Sequence, residues 1–132
     1  MDDKIILSKI DELCSYLEEL EKIKPTDLET YVSSIKEKRA CERLLQISIE
    51  SVIDICNILA SKLKVGLPAD EDEVFEKLAE KKVISKKMSS TLKEMKGFRN
   101  ILVHKYAKID DELVFENMNK LEDFEHFKKE IL

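Results

Sequence analysis

Apolar residues recur every three or four positions along residues 3–23, which is the pattern of a helix with one buried face. The series is Ile6, Ile10, Leu13, Leu17 and Leu20. Pro25 cannot continue a helix, so the first helix is predicted to end shortly before it. The four residues TDLE at 26–29 form a capping-box pattern and predict that a short second helix starts there.

A long third helix is predicted from residue 36 to about residue 63, after a bend near Ser33 and Ser34. Its apolar side chains cover more than half of the circumference, because Ile47, Ile49, Ile53 and Ile58 widen the main apolar face. Such a helix must be covered on more than one side. The helix also has a narrow polar strip, which consists of Arg43, Gln46, Glu50, Asp54 and Asn57. This strip lies either in a partly enclosed place or in water, as an ordinary exposed helix face does.

The remaining boundaries come from capping residues. VGLPADED at 65–72 is the main loop, and Asp70 with Glu73 predicts a fourth helix that ends near residue 82. Ser85 predicts a fifth helix running toward His104, and Asp110 a last helix that continues to residue 132. The expected fold is therefore all-α, an antiparallel bundle of about five to six helices in a single domain spanning residues 1–132.

Composition supports this fold class. Hydrophobic residues make up 43% and charged residues 39% of the chain, with only two Gly and two Pro, a balance that suits amphipathic helices. The longest apolar runs are only a few residues, so neither a membrane span nor a signal peptide is expected, and a cytoplasmic protein is predicted. Cys14, Cys41 and Cys56 lie on or beside apolar stripes, where we expect buried thiols rather than metal ligands.

Charge is unevenly distributed. The whole chain carries a net charge of -5, yet residues 85–108 contain seven Lys or Arg residues against Glu94 alone, a net charge of +6. The basic residues of this segment are Lys86, Lys87, Lys93, Lys96, Arg99, Lys105 and Lys108. A local basic patch of this kind is suited to phosphate, although it would also bind an acidic partner.

The basic segment contains an unusual stretch, FRNILVHKY at 98–106. On an ideal helical wheel, Arg99 lies near the centre of the apolar face that Met88, Leu92, Met95, Phe98, Leu102 and Val103 form. A guanidinium in such a place needs a partner. A purely structural explanation is a salt bridge to Glu50 or Asp54 on the third helix.

His104 lies about 140° around the same wheel from Arg99, so one regular helix cannot direct both side chains to one atom. Three explanations remain: the helix loosens before His104, the long Arg99 side chain reaches around, or a second copy of the chain completes the site. Gly97 would allow another backbone or a ligand to approach closely, or it is only a tolerated irregularity in the helix.

These residues resemble the HepT-like toxins of the HEPN superfamily. The signature R-x-x-x-x-H-x-Y is met by Arg99, His104 and Tyr106, with Asn100 in the usual next place. KRACERLLQISIESVIDICNIL at 38–59 and the closing helix extend the resemblance to nearly the whole chain. The resemblance implies an all-α, metal-independent endoribonuclease without a cofactor.

The resemblance also implies roles for the individual residues. Arg99 and His104 would be catalytic, and the supporting or RNA-contacting residues would be Asn100, Tyr106, Lys96 and Lys105. The other histidine, His126, is expected at the surface, so one chain has too few histidines to serve as both acid and base. A homodimer with two copies of Arg99 and His104 in one groove would resolve the shortage.

The partner implied by the resemblance is an MntA-like nucleotidyltransferase antitoxin that transfers AMP to Tyr106, giving an O-AMP-tyrosine. A different class of function also fits the residues. The chain could be a non-catalytic helical docking module for a nucleotidyltransferase, or a nucleotide-binding protein, in which Arg99 and His104 have structural or nucleotide-contacting roles.

Overall fold

A computed structural model of the protein describes residues 3–104 and 108–132. Within these ranges the chain forms seven α-helices and no β-strand, which confirms the all-α prediction with one helix more than expected. The helices are α1 (Asp3–Ile23), α2 (Leu28–Ser33), α3 (Ile35–Lys62), α4 (Glu71–Glu80), α5 (Lys86–Val103), α6 (Asp111–Met118) and α7 (Glu122–Ile131).

Side-chain caps begin most of these helices where the sequence predicts them. The Asp70 carboxylate accepts the backbone N–H of Glu73 at 2.9 Å, and the Ser85 hydroxyl accepts that of Met88 at 3.0 Å. Asp110 caps α6 in the same way. The prediction for α2 was wrong by one residue, because its cap is Asp27, which accepts the backbone N–H of Thr30, and not Thr26.

The prediction of one last helix from Asp110 to Leu132 was wrong. The helix stops at Met118 and α7 starts at Glu122. Near the break, the side-chain amides of Asn117 and Asn119 donate to the carbonyls of Leu113 and Phe115, at 2.9 and 3.2 Å. Asparagine side chains compete in this way with backbone hydrogen bonding, so two of them within three residues favour a turn over continued helix.

Helix α3 lies at the centre of the bundle. It packs against α1, α2, α4, α5 and α6, which confirms that it is covered on more than one side. By length and composition alone α3 would also suit a membrane span, but half of that apolar stretch is buried inside the protein, as expected for a core helix. One core cluster draws residues from all seven helices, namely Leu13, Tyr31, Val52, Phe75, Leu92, Val114 and Phe127.

The polar strip of α3 is mostly open to solvent in the protomer. Arg43, Asp54 and Asn57 are exposed, while the half-buried Gln46 donates a 3.2 Å hydrogen bond to Glu50. The solvated alternative therefore describes most of the strip within one chain.

The cysteines follow the predicted pattern at two of three positions. Cys41 and Cys56 are fully buried, and burial raises the pKa of Cys41 to about 11 and that of Cys56 to about 12. Cys14 is only partly buried, and the Lys128 ammonium donates to its Sγ at 3.2 Å.

Candidate active site

Helix α5 ends inside the basic segment, immediately before His104. Its last residue is Val103, and His104 has left the helical conformation, with φ -77° and ψ 100°. The backbone N–H of His104 still bonds to the carbonyl of Asn100 at 3.0 Å, while its side chain is exposed. The φ of -77° and this hydrogen bond keep His104 in register with α5, and only its ψ of 100° turns the following chain away from the helix. The three explanations left open by the helical wheel therefore stay open.

Arg99 lies five positions earlier and is mostly buried, with 16% of its side chain exposed. Its Nη2 donates to Glu71 Oε1 at 2.8 Å, and its Nε donates to Asn100 Oδ1 at 3.0 Å. The predicted requirement for a partner is confirmed, but the proposed partners were wrong. Glu50 accepts from Gln46, and Asp54 lies 3.7 Å from Lys9.

Two more ion pairs continue the contact between α4 and α5. Lys93 Nζ lies 2.8 Å from Glu76 Oε1, and Lys96 Nζ lies 2.6 Å from Asp72 Oδ1. The hydrogen bond with Glu76 raises the pKa of Lys93. The residue numbers increase along α5 from pair to pair while those along α4 decrease, so the two helices run antiparallel. We call the three pairs the α4–α5 ion-pair ladder: Lys93–Glu76, Lys96–Asp72 and Arg99–Glu71.

The acidic half of this ladder was missed in reading the sequence. Its signal was present, because the first turn of α4 carries Glu71, Asp72 and Glu73, and the basic residues 93, 96 and 99 are spaced by three, which places them along one side of α5. The spacing alone does not show that α4 packs beside α5. The ladder means that much of the positive charge on α5 is already compensated within the chain.

The other predicted site residues are only partly brought together. The Asn100 side chain accepts a hydrogen bond from Arg99, its neighbour on α5. Lys105 and Tyr106 lie outside the described residues. His126 is exposed on α7, as expected.

The end of α5 presents an open, partly apolar surface. A Cβ added at Gly97 would meet nothing within 4 Å, so no close approach to Gly97 occurs within the described part of the protomer. Ile101 and Val103 are about two-fifths exposed, although the wheel placed Val103 on the apolar face.

A cleft of about 500 Å³ adjoins the same end of α5, where it meets the start of α3 and the start of α6. Its walls combine cations, carboxylates and apolar groups, from Lys38, Arg39, Glu42, Leu102, Lys108, Ile109 and Asp111. Among residues 3–104 and 108–132, no group of three or more His, Cys, Asp or Glu side chains is arranged to hold a metal ion.

The arrangement combines an oriented guanidinium with an exposed imidazole five residues later. The guanidinium can bind phosphate oxygens through two parallel N–H groups, and imidazole can accept or donate a proton near neutral pH. Together these groups are suited to reactions at a phosphodiester.

Comparison with known proteins places this fold among the HEPN toxins. The solved structure of the tri-AMPylated Shewanella oneidensis HEPN toxin in complex with the MNT antitoxin superposes with a TM-score of 0.89 at 29% identity, covering 99% of this chain and 98% of that one. The family described as "Ribonuclease HepT-like" matches residues 13–131. The chain therefore belongs to the HepT-like ribonuclease family.

Two curated relatives agree with the family assignment. The tRNA nuclease HepT of Aphanizomenon flos-aquae is 33% identical over 111 residues, which cover 84% of this chain and 76% of the relative. The mRNA nuclease HepT of Shewanella oneidensis is 38% identical over 84 residues, 63% of each chain. These relatives are ribonucleases that differ in the class of RNA named as their substrate.

Proposed function

We propose that this protein is the toxin of a toxin–antitoxin pair and acts as an endoribonuclease in the cytoplasm. Membership of the HepT-like ribonuclease family supports the activity, and the likeness to a HEPN toxin bound to its MNT antitoxin supports the biological setting. The observation that carries the proposal is the Arg99 guanidinium, fixed near the end of α5, five positions before the exposed His104.

The proposed reaction is attack of a ribose 2'-hydroxyl on the adjacent phosphorus. The bond from phosphorus to the 5'-oxygen breaks, which leaves a cyclic phosphate and a free 5'-hydroxyl. His104 moves a proton at one of these oxygens, and Arg99 stabilises the additional negative charge of the phosphorane. These two groups supply proton transfer and positive charge, so we propose that cleavage needs no divalent cation and no cofactor.

One imidazole cannot be acid and base in the same step, so we propose that the active form is a homodimer. Two protomers would bring two copies of Arg99 and His104 to one groove. Support comes from the open position at Gly97 and from the exposed side chain of Ile101, one turn further along the same side of α5.

RNA would contact the basic segment around the reacting phosphate. Lys96 and Lys105 are proposed to bind flanking phosphates, and Tyr106 to contact a phosphate or stack on a base. Asn100 would act through Arg99, because its side-chain oxygen holds the Nε of that residue.

We propose that an MntA-like nucleotidyltransferase neutralises the toxin by transferring AMP to Tyr106. The Shewanella toxin in the similar structure is tri-AMPylated and bound to its MNT antitoxin, and Tyr106 occupies the tyrosine position of the signature here. Each nucleotide adds bulk and negative charge in the region proposed for RNA, so steric block and repulsion would both oppose substrate binding.

Incubation of the purified protein with labelled tRNA and mRNA fragments in EDTA tests the catalytic proposal. We expect cleavage that leaves 5'-hydroxyl ends, and its loss in the His104→Ala variant. If the parent protein binds the antitoxin or ATP but leaves both RNAs intact, the docking or nucleotide-binding alternative replaces the nuclease.

A further inference from the structure

Arg99 makes two hydrogen bonds that use different nitrogens of its guanidinium. Nε donates to Asn100 Oδ1 and Nη2 donates to Glu71 Oε1, at 3.0 and 2.8 Å. Two anchors on a planar group fix both its position and the orientation of its plane. Within residues 3–104 and 108–132, the N–H groups of Nη1 donate no hydrogen bond.

The two anchors differ in how firmly they are held. Asn100 follows Arg99 on the same helix and moves with it. Glu71 belongs to α4, whose start is fixed by the Asp70 cap, and α4 packs against both α3 and α5. Glu71 is therefore the contact that ties the guanidinium to the rest of the bundle.

Arg99 is the most buried cation of the α4–α5 ion-pair ladder. The Arg99 side chain is 16% exposed, against 38% for Lys93 and 22% for Lys96. A lysine ammonium is also a point charge on a flexible stem, whereas the use of Arg99 depends on the direction of its plane. The carboxylate beside Arg99 therefore acts mainly on the orientation of the guanidinium, and less on the positive charge that attracts RNA.

We propose that Glu71 is a positioning residue of the ribonuclease site, holding Arg99 so that Nη1 faces the reacting phosphate. This inference rests on the catalytic role proposed for Arg99. Glu71 itself would touch no substrate atom, and it would act by keeping the guanidinium in place before RNA arrives. Misplacement of a charge-stabilising group by about 1 Å can cost on the order of 100-fold in rate.

The test measures single-turnover cleavage of a 5'-labelled tRNA transcript over a range of enzyme concentrations. Glu71→Ala should lower the maximal rate by about 10- to 100-fold while the half-saturating concentration changes less than about threefold, because orientation is lost but positive charge is kept. Glu71→Gln retains an oxygen that can accept from Nη2, and should recover the rate to within about fivefold of the parent.

Glu80→Ala and Glu80→Gln are matched controls, because Glu80 is an exposed glutamate at the other end of the same helix. Both should cleave like the parent. Thermal melting of each variant separates loss of rate from loss of fold, and Glu71→Gln preserves the test if Glu71→Ala unfolds.

An unchanged or raised maximal rate in Glu71→Ala, with Arg99→Ala inactive, would overturn the positioning role alone. A raised rate would identify Glu71 as a competitor of phosphate for Arg99. If Arg99→Ala cleaves like the parent, or the parent does not cleave at all, the proposed function itself fails.

Discussion

The Lys96 ammonium lies 2.6 Å from the Asp72 carboxylate, so a cation proposed to bind RNA is already occupied by an acid of the same chain. Lys93 and Glu76 repeat the relationship one turn away. RNA phosphates would have to displace these carboxylates or share the two lysines with them. The basic segment is therefore a weaker anion site than its net charge of +6 suggests.

Removal of the competing carboxylate should strengthen RNA binding. Asp72→Asn leaves Lys96 in place and frees its charge, so we expect the Kd to fall about two- to fivefold, the range that a partly exposed ion pair supports. Fluorescence anisotropy with a labelled tRNA transcript measures the change. Glu80→Gln makes the same change in net charge, and an equal effect there would show that only total charge matters.

The opposite change should weaken the dependence of RNA binding on salt. Substitution of Lys93, Lys96 and Lys105 together by Gln removes three cations. The slope of log K against log salt should flatten by up to about 3. The change should be smaller than this limit, because the ladder already neutralises two of the three cations. Binding isotherms at several salt concentrations give the slope. An unaltered slope would place RNA outside the basic segment.

The sequence predicts α1, α3 and α5 well because each helix has a strong local signal: an apolar period, a capping residue, or both. The Arg99 and His104 pattern is equally local, since only four residues separate its two members. By contrast, the partner of Arg99 comes from α4, 28 residues away in sequence. Each of Glu50, Asp54 and Glu71 carries a carboxylate that could pair with Arg99, and only the packing of α4 beside α5 selects Glu71.

The boundary errors have a related cause. Asp110 signals the start of a helix, but the break after Met118 depends on where the side-chain amides of Asn117 and Asn119 find acceptors. Apolar spacing continues across that break at Leu121, Phe124 and Phe127, all of which are buried. The periodicity of the core therefore concealed an interruption in the backbone.

Gly97 offers a test of the proposed homodimer. A Cβ added at Gly97 would meet nothing within 4 Å in the described part of the protomer, and Gly97→Leu removes the helix penalty of glycine, about 1 kcal/mol. We therefore expect an unchanged or higher melting temperature but weaker association in sedimentation equilibrium. Ser90→Leu, at an exposed site on the same helix, is the control. A parent protein that is monomeric at micromolar concentration would remove the two-protomer site.

Thiol reactivity should distinguish the three cysteines. At neutral pH a raised pKa keeps a thiol protonated and unreactive, and Cys41 and Cys56 are in addition fully buried. Cys14 is partly exposed and should react first with a disulfide reagent, the other two only after unfolding. Cys14→Ser should abolish the fast phase, and two fast thiols per chain would contradict the described packing.

Tyr106→Phe should uncouple toxicity from its control. The ring is kept and only the hydroxyl proposed to accept AMP is removed, so cleavage should persist at least partly while neutralisation by an MntA-like partner fails. Growth assays with and without the partner, together with mass spectrometry of the peptide that contains Tyr106, measure both effects. Tyr16→Phe on α1 is the control. Modification that persists at another residue would show that Tyr106 is not the acceptor.

His104→Ala and Arg99→Ala should both abolish cleavage but should differ in stability. His104 is exposed and its side chain caps nothing in the described structure, so its loss removes proton transfer, typically about 10² to 10⁴-fold in rate, and leaves the melting temperature near that of the parent. Arg99→Ala leaves Glu71 without its cation in a partly buried place, and should lower stability by about 1 kcal/mol in addition. Glu71→Ala combined with Arg99→Ala should recover part of that loss, because no unpaired carboxylate remains.

His126→Ala is the control for His104→Ala. It changes the other histidine, which is exposed on α7, and should match the parent in both cleavage and melting. A His104→Ala variant as toxic as the parent would leave the docking module as the better account of these residues.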